Sequence, residues 1–206
     1  SINTPYLTFK VSQSSGAFDQ NPSWSPDGKY TAYWSDLSGE YEIYLKEADK
    51  NEHAKKLTSR NSGYGYSLNW SPDSKYIAFV DEKNDISILD VSTGEIKIAD
   101  NYSWNLGHNG RYSYPLSWSP DSKWITYSKG QDNSNNAVFI YSLEESTASR
   151  VTSGFYSDFS PVFSTDGKYL MFLTDRNFAA AYSGLGDGTW IYPNNTQLAA
   201  ISLTKD

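Results

Sequence analysis

The chain has 206 residues, with 17 basic against 24 acidic side chains, a formal net charge of −7 and no cysteine. This acidic balance argues against a nucleic-acid partner, which requires a basic patch, and no disulfide can contribute to stability. No stretch approaches the roughly 20 consecutive apolar residues of a membrane span. Aromatic residues reach 16% among many Ser, Asn, Asp and Gly, a composition typical of short strands joined by frequent turns.

Four copies of one nine-residue segment organise the chain. The aromatic residue at the third position recurs after 46, 48 and 45 residues. The copies are Pro22–Tyr30, Leu68–Tyr76, Leu116–Trp124 and Pro161–Tyr169. A period of roughly 40 to 50 residues, interrupted by Pro, Asp and Gly, predicts the four-stranded blade of a β-propeller and excludes helical repeats.

The Ser-Pro-Asp-Gly sequence inside the first copy predicts a tight turn. Pro26 presets φ, Asp27 accepts hydrogen bonds from the backbone, and Gly28 takes the left-handed conformation that closes the hairpin. Ser74 and Ser122 occupy the glycine position in the two middle copies, where a left-handed backbone is less favourable. We expect the same hairpin in all four copies.

The turn joins a short strand, which bears the aromatic residue, to a nearly continuous apolar strand that favours burial on both faces. The predicted second strands are Tyr30–Ser35, Tyr76–Val80, Trp124–Ser128 and Tyr169–Thr174. The predicted third strands are Tyr41–Leu45, Ile86–Val91, Val138–Leu143 and Gln197–Leu203. The predicted fourth strands are Lys56–Thr58, Lys97–Ala99 and Arg150–Thr152. Four strands per period make one blade.

These elements predict an all-β fold, a single β-propeller segment over 1–206. Its four four-stranded blade repeats are expected at about 20–60, 66–99, 113–152 and 159–204. Residues 1–10 are interpreted as a stray outer strand, and the last repeat stops after its third strand. The stray strand could close a four-bladed ring, or both ends could be cuts through a longer propeller. Because the second strands are rich in aromatic residues, we expect the gentler wedge of a six- or seven-bladed ring.

Two irregular segments, Ala99–Tyr114 and Asp175–Asn195, break the repeat. Loops of this length in a compact fold often carry function, and amphipathic aromatic and arginine side chains are common anchors in binding sites. The candidate contacts to a peptide or protein partner are Trp104, His108, Arg111, Tyr112, Arg176, Tyr182, Trp190 and Tyr192. Packing of each loop against its own blade is the simpler interpretation of the same residues.

Catalytic and metal-binding motifs are not predicted. Ser183 lacks the preceding glycine and the strand–turn–helix context of a nucleophile elbow. His53 and His108 are isolated and cannot form the usual zinc sites without cysteine. Asp132–Asn136 lacks the glycine and the distant glutamate of a calcium loop, so a plain hairpin is expected there. The recurring turn aspartates are expected to be structural, because a catalytic group is usually singular.

The repeat resembles the TolB-type propeller repeat, which also occurs in the tricorn-protease family and in prolyl-oligopeptidase-like enzymes. The ordered run from Trp118 through Val151–Pro161 and Tyr169–Arg176 to Leu203 is similar to the last blades of the propeller that precedes the catalytic half of tricorn-type serine peptidases. This resemblance implies a non-catalytic domain that restricts or channels peptides to an active site elsewhere in a longer polypeptide. No position matches a catalytic residue of that family, and no cofactor is implied.

Two other functions remain open at this stage. A TolB-like module would dock a protein partner of the cell envelope, without a linked peptidase. A free-standing propeller enzyme such as a polysaccharide lyase would need a cluster of metal-binding His and Gln residues, which two scattered histidines make unfavourable. The compartment is open among the bacterial or archaeal cytoplasm and the bacterial periplasm.

Overall fold

The computed structural model describes residues 15–48, 53–60, 63–102, 108–176, 182–183, 190–191 and 196–203. These residues form four antiparallel sheets, which are the blades, and one short hairpin. The predicted stray strand at 1–10 lies outside the described residues. The all-β fold built of blades is confirmed.

Each of the first three blades is a four-stranded meander. Blade 1 contains β1 (Asp19–Trp24), β2 (Tyr30–Ser35), β3 (Glu42–Glu47) and β4 (Lys55–Lys56). Blade 2 contains β5 (Asn69–Trp70), β6 (Tyr76–Val80), β7 (Asp85–Asp90) and β8 (Ile96–Asn101). A short helix, α1 (His108–Tyr112), precedes blade 3, which contains β9 (Ser117–Trp118), β10 (Trp124–Gly130), β11 (Asn136–Ser142) and β12 (Thr147–Arg150).

Blade 4 has three described strands and an inserted hairpin. Its sheet contains β13 (Asp158–Phe163), β14 (Tyr169–Thr174) and β17 (Gln197–Ser202), in that order. The hairpin β15 (Tyr182–Ser183) and β16 (Trp190–Ile191) lies within the second irregular segment. In every blade, strands that are consecutive in the sheet pair antiparallel, so the chain reverses direction at each connection.

The predicted turn is confirmed in all four blades. The residues at the glycine position are all left-handed, with φ of 73° at Gly28, 60° at Ser74, 61° at Ser122 and 71° at Gly167. In blade 1 the Ser25 hydroxyl donates to Asp27 Oδ1 at 2.6 Å, and the Lys29 amide donates to the same oxygen at 3.1 Å. The other three blades repeat both hydrogen bonds. The turn aspartates therefore hold the hairpin together, as expected.

A bulge in the first strand distinguishes blades 1 and 4. The register of β1 with β2 shifts between Gln20 and Ser23, and that of β13 with β14 shifts between Phe159 and Val162. A non-glycine residue is left-handed at each shift, Asn21 with φ 52° and Ser160 with φ 51°. Proline follows each of them and has no amide hydrogen for the ladder, which accounts for a bulge at this point.

The core lies between the blades. Trp34 of β2 is fully buried and packs with Ile77 and Phe79 of β6. A second cluster joins Val80 and Ile88 of blade 2 to Trp118, Ile125 and Tyr127 of blade 3. A third joins Val138 of β11 to Leu170 and Phe172 of β14. Burial of these apolar side chains at about 25 cal/mol per Å² is the main force that holds one blade against the next.

The second strands are buried on both faces in the first three blades, as predicted. In β14 burial alternates instead, because no described blade covers its outer face. Some predicted boundaries are wrong by one to three residues. The third strand of blade 2 ends at Asp90, and the fourth strand of blade 3 is Thr147–Arg150 rather than Arg150–Thr152. There Val151 and Thr152 still donate their amides to the Val138 carbonyl, outside the regular ladder.

Two kinds of hydrogen bond join the first strands and turns of neighbouring blades, and each kind occurs between blades 1 and 2 and between blades 2 and 3. The indole Nε1 of Trp70 donates to the Ser23 carbonyl at 3.1 Å, and that of Trp118 donates to the Asn69 carbonyl at 3.0 Å. The Asp27 amide donates to Ser74 Oγ at 3.1 Å, and the Asp73 amide donates to Ser122 Oγ at 3.0 Å. The serines at the glycine position thus link successive turns.

Candidate functional site

The meander divides each blade into two ends. Because the strands alternate in direction, the Ser-Pro-Asp turns and the connections between third and fourth strands lie at one end, which we call the turn face. The connections between second and third strands and those between blades lie at the other end, which we call the loop face. Both irregular segments, 99–114 and 175–195, belong to the loop face.

Three of the predicted contact residues, Arg111, Tyr112 and Arg176, have described side chains and lie on the loop face. Arg111 and Tyr112 end helix α1, between blades 2 and 3. Arg176 follows strand β14 of blade 4. Among the backbones described, His108 begins α1, and Tyr182 pairs with Ile191 next to Trp190. Trp104 and Tyr192 lie outside the described residues. No hydrogen bond or ring contact in the described part of the chain joins Arg176 to Arg111 or Tyr112.

Arg111 is held by blade 2. Its Nε donates to Asn84 Oδ1 at 2.8 Å and its Nη2 donates to the Glu82 carbonyl at 2.8 Å. Its Nη1 donates to the Tyr66 hydroxyl at 3.2 Å, and the guanidinium lies 5.6 Å from the centre of that ring. A guanidinium with three such donors in use is well fixed. Arg111 therefore anchors the connection between blades 2 and 3, and a direct role in binding stays a prediction.

Tyr112 closes a cluster of four tyrosines on the loop face. The Tyr64 ring meets those of Tyr41 and Tyr66 edge-on, with centroids 5.3 and 4.9 Å away. The Tyr112 ring meets Tyr66 at 5.0 Å and a 90° angle, and the Tyr64 and Tyr112 hydroxyls share a short hydrogen bond. Edge-to-face pairs of this kind are favourable. Tyr112 is 40% exposed, so this cluster presents an aromatic surface to solvent.

Burial raises the pKa of two tyrosines in this cluster. Loss of solvent raises the pKa of the Tyr64 hydroxyl well above its ordinary value, and the hydrogen bond with Tyr112 acts in the same direction. Burial also raises the pKa of Tyr41. The Tyr64 and Tyr41 hydroxyls thus keep their protons well beyond physiological pH and act as hydrogen-bond donors and acceptors. The cluster offers aromatic edges and hydroxyl groups, a surface suited to binding.

Arg176 pairs with the first residue of its own blade. Its Nη2 lies 3.1 Å from Asp158 Oδ2, and its guanidinium lies about 6 Å from the rings of Tyr156 and Phe172. The Asp158 side chain is buried, whereas that of Arg176 is 44% exposed. The Arg176 side chain is therefore partly exposed on the loop face, while its guanidinium compensates the charge of a buried carboxylate.

Sequence reasoning missed a buried ion pair, Arg60–Asp81, which joins blades 1 and 2. Arg60 Nη2 lies 2.9 Å from Asp81 Oδ2, and both side chains are 7% exposed. The guanidinium carbon lies 5.2 Å from the ring centres of both Trp34 and Phe79. Among the described residues Arg60 Nη1 has no hydrogen-bond partner, and the two aromatic rings supply a compensating cation–π attraction. Arg60 comes after the fourth strand of blade 1 and belongs to no recognisable motif, so no signal in the sequence pointed to this ion pair.

Within the described ranges, no group of three or more His, Cys, Asp or Glu side chains could hold a metal ion. Asp132–Asn136 forms the turn between β10 and β11, closed by the Gln131 amide on the Asn135 carbonyl at 2.8 Å, so the predicted hairpin is confirmed. No described helix is long and apolar enough to cross a membrane.

The stacked antiparallel sheets define this class of protein as a β-propeller, and each blade carries the same aspartate-containing turn, Ser-Pro-Asp in blades 1 to 3 and Ser-Thr-Asp in blade 4. Comparison with known families then identifies the family to which the chain belongs. Residues 4–206 match the family described as Tricorn protease second beta propeller domain, so the chain belongs to that family. A search of curated protein sequences gives no significant match.

Solved structures show the same fold. A tricorn protease structure is 15% identical, covers 85% of this chain and 17% of its own, and superposes with a TM-score of 0.72. TolB from Acinetobacter baumannii is 21% identical over 90% of this chain and 41% of its own, with a TM-score of 0.52. Oligogalacturonate lyase from Vibrio parahaemolyticus is 14% identical over 73% of this chain and 44% of its own, with a TM-score of 0.54. The chain thus spans about a sixth of that tricorn protease and under half of the other two.

Proposed function

We propose that this chain is a non-catalytic propeller domain that restricts or channels peptides to the active site of a tricorn-like serine peptidase, within a longer polypeptide. The observation that carries the proposal is the family match over residues 4–206. Two structural features support it. Both irregular segments belong to the loop face, and the exposed side chains of Tyr112 and Arg176 there are of the kind that contact peptides.

The first experiment measures the native polypeptide and its activity together. An antibody against this chain captures the native product from the source cells, and its mass and hydrolysis of fluorogenic peptides are recorded with and without a fluorophosphonate. We expect a polypeptide much larger than 23.2 kDa with fluorophosphonate-sensitive peptidase activity, whereas the isolated 206-residue chain is inactive. Saturable hydrolysis by the isolated chain, or a native product of its size without activity, would overturn the proposal.

Channelling itself is tested by substrate length. In the native polypeptide, Tyr112→Ala removes an exposed aromatic ring from the loop face, and Tyr169→Ala removes a ring of similar exposure next to the turn of blade 4. We expect the first substitution to change kcat/KM for long peptides about threefold or more relative to tripeptides, and the second to leave that ratio unchanged. Equal effects of both variants would contradict channelling through the loop face.

Docking of a cell-envelope partner remains the alternative prediction. The TolB structures are about 20% identical to this chain and show a shared fold alone. The antibody experiment separates the two functions, because docking predicts a stable complex with another protein and no linked peptidase.

A further inference from the structure

The interface between blades 3 and 4 departs from the repeat at two positions. Phe163 stands where blades 2 and 3 have Trp70 and Trp118, and Gly167 stands where they have Ser74 and Ser122. A phenyl ring has no N–H group and glycine has no hydroxyl. Neither hydrogen bond that joins the other interfaces can therefore form between these two blades.

A cleft opens at this interface. It has a volume of about 470 Å³, whereas a cleft between blades 2 and 3, lined by Tyr76 and Tyr141, has about 110 Å³. Its apolar lining comes from Trp124, Ile140, Phe163 and Leu203. A volume between roughly 300 and 1,000 Å³ is usual for a site that takes a small ligand. The interface that lacks these two hydrogen bonds is thus also the one whose cleft has room for a few side chains.

The charge on this cleft is negative. Asp121 and Asp166 both line it, and both are exposed. In blades 1 and 2 the lysine two positions after the turn aspartate lies 3.4 and 3.6 Å from the carboxylate, as Lys29 and Lys75 do. Lys123 and Lys168 form no such ion pair in the described part of the chain, although their charges still help to lower the pKa of Asp121 and Asp166. The described charged side chains that line the cleft are the two aspartates, and carboxylates beside an apolar cleft favour a ligand with a cation next to an apolar group.

We propose that this cleft binds a short peptide segment, with an arginine or lysine side chain between Asp121 and Asp166 and a large apolar side chain against Trp124 and Phe163. An anionic ligand is disfavoured by the two carboxylates. A bare metal ion would leave the apolar lining unused. An extended peptide fits both parts of the cleft, because one of its side chains can be basic while a neighbouring side chain is large and apolar.

This site is distinct from the one proposed for peptide channelling. Asp121 and Asp166 belong to the turns of blades 3 and 4, so the cleft lies on the turn face, whereas both irregular segments belong to the loop face. Its occupancy therefore does not depend on a linked peptidase, and either proposal can fail without the other.

Calorimetric titration of the 206-residue chain tests the cleft. The ligands are the blocked tetrapeptide Ala-Phe-Arg-Ala and its counterpart with Glu in place of Arg. We expect saturable binding of the arginine peptide and binding of the glutamate peptide that is about tenfold weaker or undetectable. Asp121→Asn and Asp166→Asn should each weaken binding of the arginine peptide about threefold. The matched controls are Asp27→Asn and Asp73→Asn in the equivalent turns, which should leave the affinity unchanged.

A variant that restores the repeat provides an independent test. Phe163→Trp together with Gly167→Ser supplies the missing donor and acceptor, and a Cβ at Gly167 would meet Pro120 at an ordinary 3.9 Å. If this variant keeps its near-ultraviolet circular dichroism and thermal transition, we expect it to lose binding. Equal affinity for both peptides, no saturable binding, unchanged binding by this variant, or a dimer of the free chain that the arginine peptide does not dissociate would each overturn the proposal.

Discussion

The indole of Trp118 donates a 3.0 Å hydrogen bond to the carbonyl oxygen of Asn69, so the first strand of blade 3 is tied to the first strand of blade 2. Trp70 makes the same bond to Ser23, one blade earlier. The repeated tryptophan therefore contributes both apolar area and a directional link between blades. That dual role explains why an aromatic residue with an N–H group recurs at this position.

The first prediction concerns removal of the indole N–H donor of Trp118. Trp118→Phe keeps an aromatic ring but leaves the Asn69 carbonyl without its partner, so we expect the free energy of unfolding to fall by about 1 to 2 kcal/mol. Urea denaturation of the 206-residue chain measures it. Trp124→Phe is the control, because no hydrogen bond of the Trp124 indole is present among the described residues, and it should cost less. Equal losses for both variants would show that ring size alone matters.

The serine at the glycine position of the turn gives a second prediction. Ser122→Ala removes the acceptor of the Asp73 amide but keeps the left-handed Cβ, so we expect a loss of about 1 kcal/mol. Ser122→Gly removes the same acceptor and also relieves the left-handed strain, which is worth about 1 kcal/mol. Glycine should therefore be close to the wild type and alanine less stable in thermal or urea unfolding.

The control for this pair is Ser146, which is also left-handed, with φ 51°, but is exposed in the turn between β11 and β12. Ser146→Ala should change stability by less than about 0.5 kcal/mol. If Ser122→Ala lowered the stability no more than Ser146→Ala, the hydrogen bond from the Asp73 amide to Ser122 would not contribute to stability.

The buried ion pair between blades 1 and 2 gives a third prediction. Arg60→Leu leaves the Asp81 carboxylate buried without its cation and removes the guanidinium between Trp34 and Phe79, so we expect a loss of about 3 kcal/mol or more. Arg150→Leu, on the exposed fourth strand of blade 3, should cost less than about 0.5 kcal/mol. Urea denaturation measures both. A loss at Arg60 no greater than that at Arg150 would contradict a stabilising pair.

Acid should weaken the turns, which is the fourth prediction. In Asp27 and Asp166 the hydrogen bond from the serine hydroxyl is the main cause of a lowered pKa. In Asp73 and Asp121 desolvation raises the pKa and is the largest single effect, but the hydrogen bonds and the charges of Lys75 and Lys123 together outweigh it, so the net pKa is lowered. A pKa below the ordinary 3.8 means that the stabilisation is complete above about pH 4 and is lost as the pH falls further.

Urea midpoints between pH 6 and pH 2 should therefore decline at the acid end. Ser119→Ala removes the hydroxyl that donates to Asp121 at 2.5 Å, so the pKa of that carboxyl should rise when it is followed by nuclear magnetic resonance. Ser153→Ala, at an exposed serine between blades 3 and 4, is the control and should leave the pKa of Asp121 unchanged. If Ser119→Ala left the pKa of Asp121 unchanged, the turn hydrogen bond would have no electrostatic effect on that carboxyl.

Local chemistry made the blade predictable. The turn from Ser25 to Tyr30 is closed by hydrogen bonds between residues at most five positions apart, so its geometry is encoded in a short sequence. The same is true of the other three copies. The bulges at Asn21 and Ser160 escaped prediction, although the following prolines were visible, because a missing amide shows its effect only when the partner strand is in place.

The repeat, the turn and the all-β class were therefore predictable from the sequence, since each rests on contacts within a few residues. The contacts between neighbouring blades became visible only in the folded chain. The Arg60–Asp81 pair, the three bonds of Arg111 and the link from Asp73 to Ser122 join residues 21 to 49 positions apart. Such contacts depend on how two sheets stack, because their distances follow from packing of the whole interface rather than from any local pattern.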